Sequence, residues 1–176
     1  MAFDLGEATA ILERTPAALR ALLGGLPDAW TRADEGPDTW SPFDVVGHLS
    51  HGDRAEWIPR VRHLLEHGEA RPFTPFDRFA QVRDAPGRTL SEKLDEFAAL
   101  RAQSLRDLAA LRLTPADLER AGAHPAFGRV TLGQLLATWT VHDLGHLAQV
   151  CRAMAGRYRE DAGPWAAYLP ILAPRR

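Results

Sequence analysis

Residues 131–156 read TLGQLLATWTVHDLGHLAQVCRAMAG, and this stretch decides the fold. Its apolar side chains recur at spacings of three and four, the period of an amphipathic helix. Thr131 precedes Gln134 by three residues, a capping box of the kind that begins a helix. His142 and His146 continue the apolar stripe, which places both rings one turn apart on one buried face. The stretch therefore predicts a long helix that carries two histidines into a core.

A second helix with a histidine is predicted upstream. Ser41 is a good N-cap, and Pro42 suits the first helical position. His48 follows in the apolar run FDVVGHL, and the pattern continues towards Leu65 with a bend expected at Pro59. His48 could therefore approach the other two histidines from a facing helix.

Two more amphipathic segments complete the pattern. One runs from Asp4 to Gly24, where Pro16 is expected to kink or divide the helix. The other begins near Thr89 and continues to Leu108. Strand-like alternation is missing from the whole sequence. We therefore predict an all-α protein, a four-helix bundle formed by residues 1–176 as a single domain.

The connection between the second and third helices is long. From Gly68 to Arg88 it has about 20 residues, enough to span roughly 60 Å when extended. A helix of about 25 residues is only roughly 38 Å long. The connection could cross over and leave the two helices parallel, or it could cover a functional site.

Composition excludes several classes of function. The formal net charge is −2, and the basic residues are scattered arginines with one lysine, Lys93. This charge gives no general attraction to nucleic acid or anionic lipid. No segment approaches the roughly 20 apolar residues of a membrane span. The opening residues show no basic n-region of a signal peptide, and there is one cysteine. We therefore expect a cytoplasmic protein with no nucleic-acid or membrane partner.

Three imidazoles around one point would bind a divalent transition metal and leave coordination positions open. The alternative is that each buried ring is satisfied by a carbonyl or carboxylate inside the bundle. Two familiar metal patterns do not fit. A zincin needs Glu after its first histidine, where Asp143 stands, and the Glu-x-x-His motifs of di-iron bundles are missing.

Several neighbours are candidates for supporting roles. His51 could reach the pocket as a base or fourth ligand, or it could be a half-exposed polar residue. Asp53 and Glu56 are weaker candidates for proton transfer, because a solvated helix face explains both. Asp143 could hold a neighbouring helix or orient a ligand imidazole. Gln149 is interpreted as structural.

Two more residues have an assigned place. Trp139, on the histidine stripe, is the one tryptophan expected to form a pocket wall. His124, beside Pro125, is expected to line the site or to make a turn.

The chain also resembles a known family, the DinB/YfiT-like superfamily. The resemblance rests on residues 40–49 (WSPFDVVGHL) and 141–150 (VHDLGHLAQV), with similar segments at 72–79 and 163–165. It implies a four-helix bundle of up-down-down-up type with a long crossover between helices 2 and 3. It also implies a divalent metal, zinc or nickel, held by His48, His142 and His146.

Three functions are compatible with these observations. Some family members resemble S-transferases or isomerases that use a low-molecular-weight thiol, so transfer of such a thiol to a small electrophile is the leading hypothesis. The second is metal-assisted hydrolysis with His51 or Glu56 as proton acceptor. The third is a non-enzymatic, dimerising binding or stress-response module. The expected partner is a small-molecule substrate, with a homodimer allowed.

Overall fold

The computed structural model describes residues 3–80 and 87–173, and these residues are mostly helical. Its α-helices are α1 (Leu5–Leu23), α2 (Asp28–Thr31), α3 (Pro42–Ala55), α4 (Trp57–His67), α5 (Leu90–Ala110), α6 (Pro115–Leu118) and α7 (Leu132–Gly156). Its strands are β1 (Ala121–His124) and β2 (Gly128–Thr131), and 3₁₀ turns cover Gly68–Ala70, Gly163–Tyr168 and Pro170–Leu172. No helix within the described ranges has the length and apolarity needed to cross a bilayer.

The long helices begin where their capping residues predict. Each N-cap hydroxyl accepts a hydrogen bond from the backbone N–H three residues on, and the side chain there bonds back to the cap. The three reciprocal pairs are Ser41 with Asp44, Thr89 with Glu92, and Thr131 with Gln134. Local sequence therefore sets where these three helices begin, including the two that carry the histidines of the cluster.

Helix α1 runs through Pro16 without being divided. A proline has no N–H, so the carbonyl four residues earlier loses its helical donor. That carbonyl belongs to Leu12, and Arg101 Nη1 from α5 donates to it at 2.9 Å. A side chain from a neighbouring helix thus replaces the missing backbone bond.

The second predicted helix is broken in two. Helix α3 ends at Ala55, and α4 begins at Trp57, with Glu56 between them at φ −116° and ψ −64°. Pro59 cannot donate to the carbonyl of Ala55, which places the break one turn before the proline. The break puts Glu56 at the junction of the two helices.

The prediction of an all-α chain is wrong in one place. Strands β1 and β2 form an antiparallel hairpin, paired from Ala121 with Thr131 to His124 with Gly128. A three-residue loop joins them, and Gly128 follows it at φ 71°, a conformation that favours glycine. The free edge of β1 is also used, because Phe73 N donates to the carbonyl of Ala123 at 2.9 Å.

The core contains two apolar clusters. One joins the C-terminal part of α1 to the start of α3, the start of α5 and the end of α7: Leu19, Leu23, Val45, Val46, Leu49, Leu94, Phe97 and Val150. The other includes Leu12, Trp57, Ile58, Val61, Leu64, Phe73, Leu108, Leu132, Leu135, Leu136 and Trp139. Along the helices, several buried polar residues lie in sequence between these clusters: Thr15, Asp53, Arg101, Ser104 and Asp143. His48 is also buried and lies just before Leu49 of the first cluster.

The long connection is described only in part. Residues 68–80 continue from α4, and residues 81–86 of the predicted crossover lie outside the described residues.

Candidate metal centre

Three histidines converge in the polar layer of the bundle. Nε2 of His142 lies 3.1 Å from Nε2 of His48 and 3.1 Å from Nε2 of His146. One ring nitrogen from each residue falls within 4.8 Å of both others. Within the described residues, no further histidine, cysteine or carboxylate joins this group. The arrangement therefore has three nitrogen donors.

The helices deliver these rings from two sides. His48 comes from α3, and His142 and His146 come from successive turns of α7. Trp40, just before α3, packs on the other side: its ring centroid lies 4.5 Å from that of His48 and 6.1 Å from that of His146. Trp40 is not among the residues predicted from the sequence to lie at the site.

Burial keeps the outer two rings neutral. Burial, followed by the neighbouring imidazoles of His146 and His142, lowers the pKa of His48 to about 3. Burial and the adjacent His142 ring likewise lower the pKa of His146 to about 4. Only a neutral imidazole has a lone pair to give to a metal, so both rings are ready to act as ligands at neutral pH.

The far nitrogens differ in their partners. Nδ1 of His146 lies 2.9 Å from Oε1 of Gln149, so it carries the proton and leaves the Nε2 lone pair facing the centre. Gln149, interpreted from sequence as structural, thus orients a ring of the cluster. Nδ1 of His48 and Nδ1 of His142 are buried without a hydrogen bond among the described residues.

These residues fit a divalent metal. Tetrahedral ligands about 2.0–2.1 Å from a zinc ion lie roughly 3.3 Å from one another, close to the two separations of 3.1 Å that involve His142. The Gln149 contact places the proton of His146 on Nδ1, so its Nε2 has only a lone pair. Nε2 of His142 carries at most one proton, and one proton cannot form two full hydrogen bonds at 3.1 Å. A cation between three lone pairs removes this conflict, and neutral imidazoles suit zinc and nickel.

A cavity of about 300 Å³ opens beside the cluster, with His48 and His142 in its wall. Four aromatic side chains form much of the remaining wall: Trp57, Phe73, Phe76 and Phe127. His124 lines the cavity as well, and its Nδ1 accepts hydrogen bonds from the backbone N–H groups of Ala126 and Phe127. His124 thus fills both of its predicted roles, in the wall and in the turn.

Glu56 and His51 occupy different places. Glu56 lines the cavity, and its Oε1 accepts a bond from Arg60 Nη1 at 2.5 Å. Burial raises the pKa of Glu56 although Arg60 acts against this shift. His51 stacks on Phe76 with its Nε2 3.1 Å from the carbonyl oxygen of Asp77, in a neighbouring cavity. The structure therefore brings Glu56 to the cavity beside the cluster, but not His51.

Two sequence interpretations are wrong. Trp139 is fully buried and stacks on Trp57 with 5.6 Å between ring centroids, so Trp57 and not Trp139 forms the cavity wall. Glu56 is not on a solvated face, since its side chain is 12% exposed. Asp53 is not either: it is 5% exposed and bonded to Arg101. Residue spacing alone gave no signal for this pair, because the partner stands on another helix.

Fold and site together define a helical bundle with a histidine centre in its core. The model of the DinB superfamily matches residues 11–150, and the chain belongs to that superfamily. YfiT from Bacillus subtilis has a similar structure, with a TM-score of 0.68 at 22% identity over 90% of this chain and 87% of that one. YfiT is described as a probable metal-dependent hydrolase with an unusual four-helix bundle topology. Comparison with curated proteins gave no match.

Proposed function

We propose that this protein is a metal-dependent hydrolase acting on a small, uncharged substrate with an aromatic or other apolar group. The observation that carries the proposal is that one cavity wall contains two histidines of the cluster, His48 and His142, together with the Glu56 carboxylate. The description of YfiT as a probable metal-dependent hydrolase is consistent with it.

The cluster would hold the metal through Nε2 of His48, His142 and His146. The three-donor set among the described residues resembles catalytic sites, which keep a position open, more than closed structural sites. A divalent ion held there would act as a Lewis acid and lower the pKa of water bound to it.

Glu56 is the proton acceptor in this proposal. Its Oε1 is bonded to Arg60, so proton transfer falls to Oε2. A carboxyl group with a raised pKa is a better base near neutral pH than an ordinary one. Glu56 takes the proton from the attacking water and gives it to the leaving oxygen or nitrogen when the scissile bond breaks.

The cavity sets the class of substrate. The charges of Glu56 and Arg60 are paired with each other, and the rest of the wall is largely aromatic and aliphatic. Such a wall favours an apolar body and disfavours a charged group that would lose its hydration without a partner. At about 300 Å³, the cavity lies at the small end of ligand sites.

The test uses protein purified without a histidine tag and loaded with zinc or nickel. Hydrolysis of small aryl and alkyl esters and amides is measured for wild type and Glu56→Gln, with the metal content of each. We expect Glu56→Gln to keep its metal but to lose about 10²–10⁴-fold in kcat. Glu66→Gln, at an exposed position of α4, is the matched control and should match wild type.

Stoichiometric metal in wild type without hydrolysis of any substrate would contradict the proposal. The same assay with a low-molecular-weight thiol tests the transferase reaction implied by the family resemblance, which stays a prediction. His51 as base also stays a prediction, to be tested by His51→Ala in the same series.

We also propose the up-down-down-up order of the four long helical segments. The two core clusters support it. The C-terminal part of α1 and the end of α7 contact the starts of α3 and α5, while the start of α7 packs with α4 and the end of α5. This grouping makes α3 and α5 parallel and fits the long connection between them.

A further inference from the structure

A buried ionic cluster lies next to the histidine centre. Arg101 of α5 donates from Nε and Nη2 to the Asp53 carboxylate of α3 at 3.0–3.2 Å. The same guanidinium donates to Asp143 of α7, from Nη1 at 2.5 Å and from Nη2 at 3.2 Å. The side chains of the three residues are at most 2% exposed. One guanidinium therefore joins two carboxylates in the interior of the bundle.

Stability alone is a weak reason for such a cluster. Well-packed apolar residues can often replace a buried ion pair at no loss of stability. Two ionised carboxylates on one guanidinium also leave one excess negative charge. Burial opposes the ionisation of both carboxyls. It raises the pKa of Asp53, whereas the His142 ring and Arg101 hold the pKa of Asp143 below its usual value despite burial.

Asp143 is also the member that faces the histidine centre. Its Oδ1 lies 3.9 Å from Nδ1 of His142, which is slightly too long for a hydrogen bond. That Nδ1 is buried and has no hydrogen-bond partner among the described residues. When the Nε2 lone pair of His142 faces the centre, Nδ1 carries the proton and needs an acceptor. A shift of about 1 Å in the His142 ring brings its Nδ1 within hydrogen-bond distance of Asp143.

Arg101 is itself fixed by the chain. Pro16 leaves the carbonyl of Leu12 without a helical donor, and Arg101 Nη1 donates to it at 2.9 Å. Arg101 is therefore held from α1, α3 and α7 at once. An arginine held this way fixes the direction of the Asp143 carboxylate.

We propose that Asp143, held in place by Arg101, is a positioning residue that accepts the Nδ1 proton of His142 and directs its Nε2 at the metal. The inference rests on the proposed function only in requiring that the three histidines bind a metal. Asp53 completes the charge pairing of Arg101 but does not act on the ring.

Two isosteric variants separate these roles. Asp143→Asn and Asp53→Asn each remove one negative charge from the same guanidinium. The affinity of each protein for Zn²⁺ is measured by competition with a chelator, and the d–d absorption of the Co²⁺ form is recorded. We expect Asp143→Asn to weaken zinc binding about 10–100-fold and to change the Co²⁺ spectrum. Asp53→Asn should stay within a few fold of wild type, with a similar loss of stability in urea.

Nitrogen NMR of the imidazoles in the wild-type zinc protein supplies a readout that does not depend on a variant folding. We expect a proton on Nδ1 of His142, slow to exchange and shifted downfield by a carboxylate acceptor.

Several outcomes overturn the inference. They are equal weakening of zinc binding in both variants, no weakening in either, or rapid solvent exchange of the Nδ1 proton. If wild type itself binds no zinc, the proposed metal site fails instead, so the two failures are distinguishable.

Discussion

A buried imidazole gives up its proton more readily than one in water, because the cation loses its hydration. His48 and His146 both show this effect, and each also feels the neighbouring rings. At the scale of single residues, both rings are therefore neutral and able to bind a cation before any cation is present. The same lowered pKa values make the metal-free protein sensitive to acid.

The free energy of unfolding of the metal-free protein should fall as pH is lowered. The native pKa of His48 is about 3, against 6.5 for an imidazole in water. Above pH 6.5 its contribution to stability is fully present, and below it the unfolded chain takes up a proton that the native ring does not. We expect metal-free wild type to lose about 2 kcal/mol more than His48→Gln between about pH 7 and pH 5, measured by urea unfolding.

Ordinary carboxylates titrate in both proteins, so the difference between the two pH profiles of the unfolding free energy reports on His48. Parallel pH profiles for wild type and His48→Gln would show that His48 is not held neutral in the native state.

Single residues of the site could be predicted from the sequence only where a metal-binding side chain also lies at a buried position of the helical repeat. His48, His142 and His146 could be predicted as one group because each lies on an apolar helical stripe. Arg101 could not, because its two partners come from different helices and no spacing links all three. Trp40 precedes its helix, so helical periodicity says nothing about which way its ring points.

At the scale of elements, local signals worked best. A capping box involves residues three apart, so its effect does not depend on the rest of the fold. The hairpin of β1 and β2 was missed for the opposite reason. Each strand has four residues and each contains a glycine, which is too short a run for alternation to be recognised.

The cap of α3 offers a test at this scale. Ser41 is 5% exposed, and its hydroxyl accepts from the backbone N–H of Asp44. We expect Ser41→Ala to lower the free energy of unfolding by about 1 kcal/mol, measured in urea. The matched control is Ser91→Ala, at an exposed position in the first turn of α5, which should change stability by less than about 0.5 kcal/mol. Equal losses in the two variants would mean that the Ser41 cap adds nothing.

At the scale of the whole molecule, the centre joins two helices distant in the sequence. His48 and the α7 pair come together only when the bundle is folded, so a metal at this site binds the native state and stabilises it. The order and direction of the helices were harder to predict. They depend on which apolar faces meet, and helical periodicity does not specify the partner of each face.

Metal should therefore raise the melting temperature. At a free zinc concentration of about 100 times Kd, the native state gains about 2.7 kcal/mol. For a chain of this length that corresponds to a rise of about 5–10 °C, measured by calorimetry with zinc and with a chelator. His142→Ala should fold but show no rise. An equal rise in His142→Ala would place the stabilising metal elsewhere.

The two sides of the cavity come from different parts of the chain. The ring nitrogens belong to α3 and α7, whereas Phe73, Phe76 and Phe127 belong to the connection after α4 and to the hairpin loop. Substitutions in the second group can reshape what the cavity accepts while the histidines keep their places. The fold therefore lends itself to diversification, in evolution or in the laboratory, by exchange of one loop and one hairpin around a constant centre.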